Sequence, residues 1–495
     1  MYGKLLIVLA IVLMNVLSVA AQSNSSDSSA FTVDEQQEFR DYVETTLNAY
    51  AIPGAAVAVI QDGQIIMAEG FGVSDLESNA PVTSDTIFQL GSLAKSINSS
   101  MIATLVDQGV IDWDQPIVEV MPDFQLADAD RTAALTLRDL IGFRSGIANN
   151  DLETFGVPLS VSELITSIAD EPFNAVSGEM FDYNNNLASI GGFIAASAVN
   201  DDADLLDTYI DLVEQRIFAP AGMESASLSQ RTPDENLATG YLTALDGSSL
   251  LPTPFVYEAS QVPAGMLTGT VLDMAQFLLM QVTRGVAVDG TQVISTSNLL
   301  ETWTPGVVIA GGMQLPGFES LGYGMGWFID AYNGMEIISV PGNAGGFTAY
   351  MAILPDSNTG IVIMTNKAQA NVFSLALSNR LVELVYDFPQ TFDAIATQIN
   401  SAMQQQLAGM SQMIVGPATV ETLGAYVGNY TEHVSIEVRD DEVWLNRGNF
   451  AGKLYVLADG SFISEGIMVY GLQITQDGLM FGNVGSPSLL LQPLN

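Results

Sequence analysis

The sequence predicts an α+β chain: a mainly antiparallel sheet flanked by helices, with a large helical insertion, and a small C-terminal all-β barrel behind it. Two observations carry this. Strand patterns stand at both ends of the region 33–390, with mainly helical patterns and long loops between them. From Leu423 onward, short apolar runs alternate with turn signals at Asp440-Asp441, Asp459-Gly460 and Asp477-Gly478, the pattern of a compact β-module.

The elements follow in order. Met1 to Ala21 carries Lys4, the apolar run Leu5–Met14 and the small-residue stretch Ser18-Val19-Ala20-Ala21, which reads as a signal peptide over 1–21. The Ser/Asn-rich segment after it reads as a flexible leader, 22–32. Phe39 to Tyr50 has a helical apolar face of Phe39, Tyr42, Val43 and Leu47. Gly54–Ile60 and Gln64–Gly70 read as strands around the hairpin signal Asp62-Gly63. A helix is expected from Ser92 to near Gly109. Strands return at Gly326–Ile329, Met335–Val340, Thr348–Leu354 and Gly360–Thr365, and Val372–Tyr386 closes the domain as a helix. The Gln-rich stretch 391–415 reads as a linker helix, and 416–495 as the barrel.

Composition excludes several chemistries. The chain has no cysteine, so it has no thiol nucleophile, disulfide or thiolate metal site. Its one histidine, His433, lies in the β-module and reads as a surface or half-buried strand residue. Nothing in the sequence calls for a metal or a cofactor. The formal charge of −42 comes from scarce basic residues, 14 Lys+Arg against 56 Asp+Glu. Such a surface repels nucleic acid and anionic membranes. Export with a bias against lysine, an acidic exterior and salt adaptation each fit that balance. No stretch after the signal peptide is long and apolar enough to span a bilayer, so the expected location is secreted or periplasmic. The expected partner is a small-molecule or peptide substrate, and the sequence leaves the oligomeric state open.

The stretch Gly91-Ser92-Leu93-Ala94-Lys95 is the main chemical signal. It places a hydroxyl and an amine three residues apart, about one helical turn. A serine hydroxyl is a weak nucleophile until a neighbour takes its proton, and a lysine beside it can be that base or can polarise another. Of the lysines Lys4, Lys95, Lys367 and Lys453, only Lys95 has a serine three residues before it. About 0.3 such pairs arise by chance from the residue frequencies, so the pair needs its context.

That context resembles the penicillin-recognising serine hydrolases: class C β-lactamases, D-alanyl-D-alanine carboxypeptidases, D-aminopeptidases and related esterases. The resemblance spans about 35–385 and rests on Phe88-Gln89-Leu90-Gly91-Ser92-Leu93-Ala94-Lys95 and Phe181-Asp182-Tyr183-Asn184-Asn185. Leu137–Ile141 with Ser145-Gly146-Ile147, Pro220–Met223, Pro263–Met266 and Tyr323–Trp327 support it in the same order. The C-terminal module is similar to the lipocalin-like domain of some members, with Ala425–Tyr430 as its opening strand.

The resemblance implies that Ser92 attacks a carbonyl and forms an acyl-enzyme. It implies that Tyr183, its phenol acidified by a charged Lys95, takes the Ser92 proton, and that Asn185 contacts substrate and Lys95. Asn184 and Asn186 read as turn residues. One departure stands out. The family places Lys-Thr-Gly or His-x-Gly on the strand beside the nucleophile; this chain has Pro341-Gly342-Asn343-Ala344-Gly345-Gly346. Asn343 donates hydrogen bonds but carries no charge. Gly345 and Gly346 form the following loop, and the N–H groups of Ser92 and Gly346 are the expected oxyanion donors. The missing charge tilts the expectation toward an ester or neutral amide; a β-lactam or D-amino-acid peptide substrate and a catalytically relict ligand-binding protein are the alternatives.

Overall fold

The computed structural model describes residues 31–200, 203–232, 236–312, 314–466, 470–476, 478–483 and 486–494. The expected signal peptide lies outside the described residues.

Helix α1 (Val33–Ala49) starts earlier than the apolar periodicity suggests because a capping box sets its end. Thr32 Oγ1 accepts from Glu35 N at 3.2 Å, and the Glu35 carboxylate accepts from Thr32 N at 2.7 Å. The chain is already tied down at Phe31, which is buried and donates its N–H to Gln61 Oε1 at 2.7 Å. Strands β1 (Gly54–Gln61) and β2 (Gln64–Gly72) form the expected hairpin, followed by β3 (Phe88–Gly91) and α2 (Ala94–Asp107). The insertion contributes α3 (Asp151–Thr154), α4 (Asn185–Ser197), β4 (Gly240–Thr243), β5 (Leu250–Thr253), α5 (Val262–Gly265), β6 (Leu267–Gly269) and α6 (Val271–Val282), among other short helices. Strands β7 (Phe318–Tyr323), β8 (Phe328–Tyr332), β9 (Met335–Ala344), β10 (Phe347–Leu354) and β11 (Thr359–Thr365) complete the sheet, and α7 (Asn371–Val385) follows.

The sheet has seven strands in the order β2-β1-β11-β10-β9-β8-β7, every neighbouring pair antiparallel. Both its faces are covered. Ala56, Ala58, Ile60, Met351 and Val362 pack with α2 and α6, while Val57, Val59, Ala352 and Ile363 pack with α1 and α7. This is why β1, β10 and β11 read as continuous apolar runs with no polar alternation. Strand β7 is absent from the sequence expectation, and β8 falls two residues later than expected. The segment Gly324–Trp327 is the connection between them, and Gly326, with φ +84°, packs so close to α2 that a Cβ there would lie 2.6 Å from the Lys95 carbonyl oxygen.

Helix α8 (Phe392–Met413) occupies the expected linker. Behind it stands a curled nine-stranded sheet: β12 (Ile414–Pro417), β13 (Gly428–Asn429), β14 (Val434–Arg439), β15 (Glu442–Arg447), β16 (Phe450–Leu457), β17 (Phe462–Glu465), β18 (Tyr470–Thr475), β19 (Gly478–Asn483) and β20 (Ser486–Leu491). Its ends meet where Thr431 N donates to Gln492 O and Leu494 N to Asn429 O. Of the expected opening strand 425–430, Gly428 and Asn429 pair with β14 and Tyr430 bridges to Pro493, while 424–426 form a short 3-10 turn; the Tyr430 hydroxyl donates to Tyr426 O at 2.7 Å. His433 sits exposed in the next turn with φ +55°. The β15–β16 hairpin docks on the hydrolase-like domain: Arg447 Nη2 donates to Glu153 O at 3.0 Å, and Phe450 stacks on Phe155 at 5.0 Å. Among the described residues, no helix is long and apolar enough to cross a membrane.

Candidate active site

Three elements build the site. Strand β3 ends at Gly91, whose φ of +54° turns the chain sharply. Ser92 therefore sits in the turn that enters α2 rather than on the helix itself, and Lys95 lies in the first helical turn, 3% exposed. A Cβ at position 91 would fall 2.5 Å from the carbonyl oxygen of Asn343, so only glycine lets β9 pass this close to the nucleophile. Helix α4 brings the second element. Asn184 is its N-cap, with its side chain accepting from Leu187 N at 2.9 Å, which fixes Tyr183 just ahead of the helix and Asn185 at its first position.

The side chains converge tightly. The Tyr183 hydroxyl donates to Ser92 Oγ at 2.8 Å. Lys95 Nζ lies 3.0 Å from Ser92 Oγ, 2.8 Å from Asn185 Oδ1 and 2.8 Å from Ala264 O of α5. It also stands 4.9 Å above the Tyr183 ring. The Asn185 amide orientation is fixed from behind, since Nδ2 donates to Asp151 Oδ2 at 2.8 Å.

The electrostatics of the two groups are set mainly by burial. Burial lowers the Lys95 amine to about 7, with only Asp151 pulling the other way. Burial raises the Tyr183 phenol well above its ordinary value; the Ser92 hydrogen bond opposes this and the Asp151 charge adds to it. Burial therefore works against the acidified phenol that the resemblance implies. Removing water from the site disfavours both ions, the ammonium and the phenolate alike. A free-base Lys95 fits its three contacts. Two N–H bonds serve the carbonyl oxygens of Asn185 and Ala264, and the lone pair faces the Ser92 hydroxyl.

An aromatic wall continues from Tyr183. Phe143 lies 4.7 Å from the Tyr183 ring, and Phe328 lies parallel to that ring at 6.4 Å. Phe181 and Tyr323 pack 5.2 Å apart beside them. Phe181, Phe328 and Ile309 are half-buried.

The third-motif residues fall differently. The backbone of Asn343 lies beside Gly91, but its exposed side chain bonds Thr348 Oγ1 at 3.2 Å and Asn371 at 3.4 Å, not Ser92. Gly345, at φ +52°, forms the hairpin tip with Gly346. Gly346 is pressed onto β4, where a Cβ would be 2.4 Å from Tyr241 N, and its carbonyl accepts from Tyr241 N at 3.1 Å. The structure brings Ser92, Lys95, Tyr183 and Asn185 together and leaves the Asn343 side chain outside that group. Asn186 is no turn residue. It is fully buried and bonds Asn150 Oδ1, Thr154 Oγ1 and Gln261 Nε2, each at 2.7 Å.

Sequence reasoning missed two members. The Ala264 carbonyl lay within Pro263–Met266, a segment quoted without a role. Asp151 gave only a weak signal, one acid after Asn149-Asn150, because its contacts lie 34 and 35 residues away. Among the described residues no cluster of His, Asp and Glu is arranged to hold a metal.

Comparison with known proteins bears on the family and the fold. Residues 39–384 match the family described as Beta-lactamase. An unguisins hydrolase of Aspergillus campestris is 25% identical over 418 residues, 80% of this chain and 75% of the relative. Penicillin-binding protein 4 of Amycolatopsis lactamdurans is 28% identical over 335 residues, 67% of this chain and 85% of its own. Among solved structures, the octameric penicillin-binding protein homologue from Pyrococcus abyssi superposes with a TM-score of 0.60 at 19% identity, covering 90% of this chain and 98% of that one. The class C β-lactamase from Rhodobacter sphaeroides gives 0.56 at 20% identity, covering 70% and 98%. With its fold, its Ser92–Lys95–Tyr183 cluster and a match across most of its length, the chain belongs to the β-lactamase family of serine hydrolases.

Proposed function

We propose that this hydrolase is an exported enzyme that cleaves an ester or neutral amide through an acyl-enzyme on Ser92. The observation that carries the proposal is the Lys95 amine, buried, held by two carbonyl oxygens and 3.0 Å from the Ser92 hydroxyl. As Ser92 Oγ attacks the substrate carbonyl carbon, its proton passes to the Lys95 lone pair. The tetrahedral oxyanion collapses, the bond to the leaving group breaks, and the leaving group takes a proton from the Lys95 ammonium or the neutral Tyr183 hydroxyl. Water then attacks the ester carbon, giving its proton back through Lys95 and releasing the acid. The Ser92 N–H and a backbone N–H of the β9–β10 hairpin are the proposed oxyanion donors.

Two features favour a neutral, partly apolar substrate. The basic side chains of the segment 131–144 are turned elsewhere: Arg131 to Ala175 O, Arg138 to Asp114 and Glu301, and Arg144 to Asp139. The wall of Phe181, Phe328 and Ile309 offers apolar, partly aromatic surface packed with Tyr183. Export rests on the n-region and apolar run of residues 1–21.

The test is active-site labelling of wild type and Ser92→Ala with a fluorophosphonate and with a labelled penicillin. Labelling of wild type by the fluorophosphonate alone supports the esterase reading. Penicillin labelling favours the β-lactam alternative, and labelling by neither reagent overturns acyl-enzyme chemistry. Asn343→His restores the residue usual in the family; unchanged penicillin reactivity is expected, because this side chain faces Thr348 and Asn371.

A further inference from the structure

We infer that Asp151 is a positioning residue of this site: its carboxylate locks the Asn185 amide with Oδ1 toward Lys95 and supplies the negative charge that faces the lysine. The inference rests on the proposed role of Lys95 and adds a residue outside the family segments recognised in the sequence.

The geometry is specific. Asp151 Oδ1 and Oδ2 both accept from Asn185 N at 3.0 Å, Oδ2 accepts from Asn185 Nδ2 at 2.8 Å, and Oδ1 accepts from Asn186 N at 3.2 Å. Burial pushes the Asp151 carboxyl above its ordinary value, and the N–H groups of Asn185 and Asn186 and the Lys95 charge pull against it. Every hydrogen-bond partner is a donor, so a proton on this carboxyl would find no acceptor among them and the geometry favours the ionised form. An amide side chain can turn about its last bond and exchange O for N. Were Asn185 to flip, its NH2 would face Lys95 and its oxygen would face Asp151, losing both of these bonds and setting like groups together on both sides. Asp151 forbids that flip.

The segment carrying Asp151 is itself braced. Asn149 Oδ1 accepts from Asp151 N at 2.9 Å, and Asn149 Nδ2 donates to Tyr183 O at 2.6 Å, so 149–151 straps the chain from Tyr183 to Asn186. From the other side Arg447 of the barrel holds Glu153 O on the same short helix.

The charged and titratable groups around Asp151 are Lys95 from α2 and Tyr183 and Asp182 from the segment before α4. Of these only Lys95 titrates as a base near neutral pH in the proposed mechanism. Removing the Asp151 charge withdraws the one influence that favours the lysine ammonium. The free base then persists to lower pH.

The experiment compares kcat and KM for a p-nitrophenyl ester from pH 5 to 9 in wild type, Asp151→Asn, Asp151→Glu and Ser92→Ala, with thermal melts to establish folding. In Asp151→Asn the acid limb of kcat/KM is expected to move down by about 0.5 to 1 pH unit, with kcat about tenfold lower and KM within about twofold. An unmoved limb overturns the inference, since a merely structural role would lower activity without shifting it. If Asp151→Asn does not fold, Asp151→Glu decides. A limb within about 0.3 pH unit of wild type with reduced kcat supports charge plus positioning; unchanged kcat overturns positioning. Ester turnover that survives Ser92→Ala removes the proposed function instead, independently of Asp151.

Discussion

The pH dependence of ester turnover follows from the state of Lys95. In solution a lysine ammonium of ordinary pKa, 10.5, leaves about one molecule in 3,000 as free base at pH 7. Burial among Ser92, Asn185, Ala264 and the Tyr183 ring brings that value to about 7, a difference of about 5 kcal/mol in the cost of the charged form. About half of the enzyme then carries a competent base at neutral pH. The expected profile of kcat/KM for a p-nitrophenyl ester falls about tenfold per unit below pH 7 and levels off above it. Lys95→Arg replaces the amine with a group that stays charged and is expected to lose about 100- to 10,000-fold. Tyr183→Phe removes a donor to Ser92 Oγ but leaves the base in place, so activity drops while the limb stays near 7. A limb lying above pH 9 in wild type would refute the reasoning. So would a Tyr183→Phe variant in which the limb near 7 vanishes while residual turnover remains, since the phenol would then be the titrating group.

Two further outcomes are expected. Gly91→Ala places a side chain in left-handed backbone, costing about 1–2 kcal/mol, and drives its Cβ against the Asn343 carbonyl; both melting temperature and fluorophosphonate labelling should fall, and a variant as stable and as reactive as wild type would contradict the close approach of β9. Burial raises the Glu258 carboxyl from 4.5 to about 7 against the opposing charge of Arg447, so the folded state holds this proton more tightly than the unfolded chain. That contribution to stability is fully present below 4.5 and lost as pH rises through about 7. Glu258→Gln should therefore gain melting temperature relative to wild type at pH 8 more than at pH 5, and an equal difference at both would exclude the coupling.

The sequence alone determined the α+β architecture, the hairpin at Asp62-Gly63, the linker helix, the β-module and the pairing of Ser92 with Lys95, because each is written in local periodicity, turn chemistry or short spacing. It also marked Tyr183 and Asn185 through the resemblance. It misread what depends on packing at a distance. Strand β7 was invisible because it is a sheet-edge strand whose pattern is broken by Gly322. Asp151 was invisible because a carboxylate declares its role only when the donors of α4 close around it. The sequence also could not show the surroundings of Lys95 and Tyr183, where pairwise charge suggests an ammonium beside an acidified phenol. The fold removes water from both, and that burial lowers the amine and raises the phenol. The bonds of the Asn343 side chain likewise came only from the tertiary structure, since the register of β9 with β10 sets it beside Thr348.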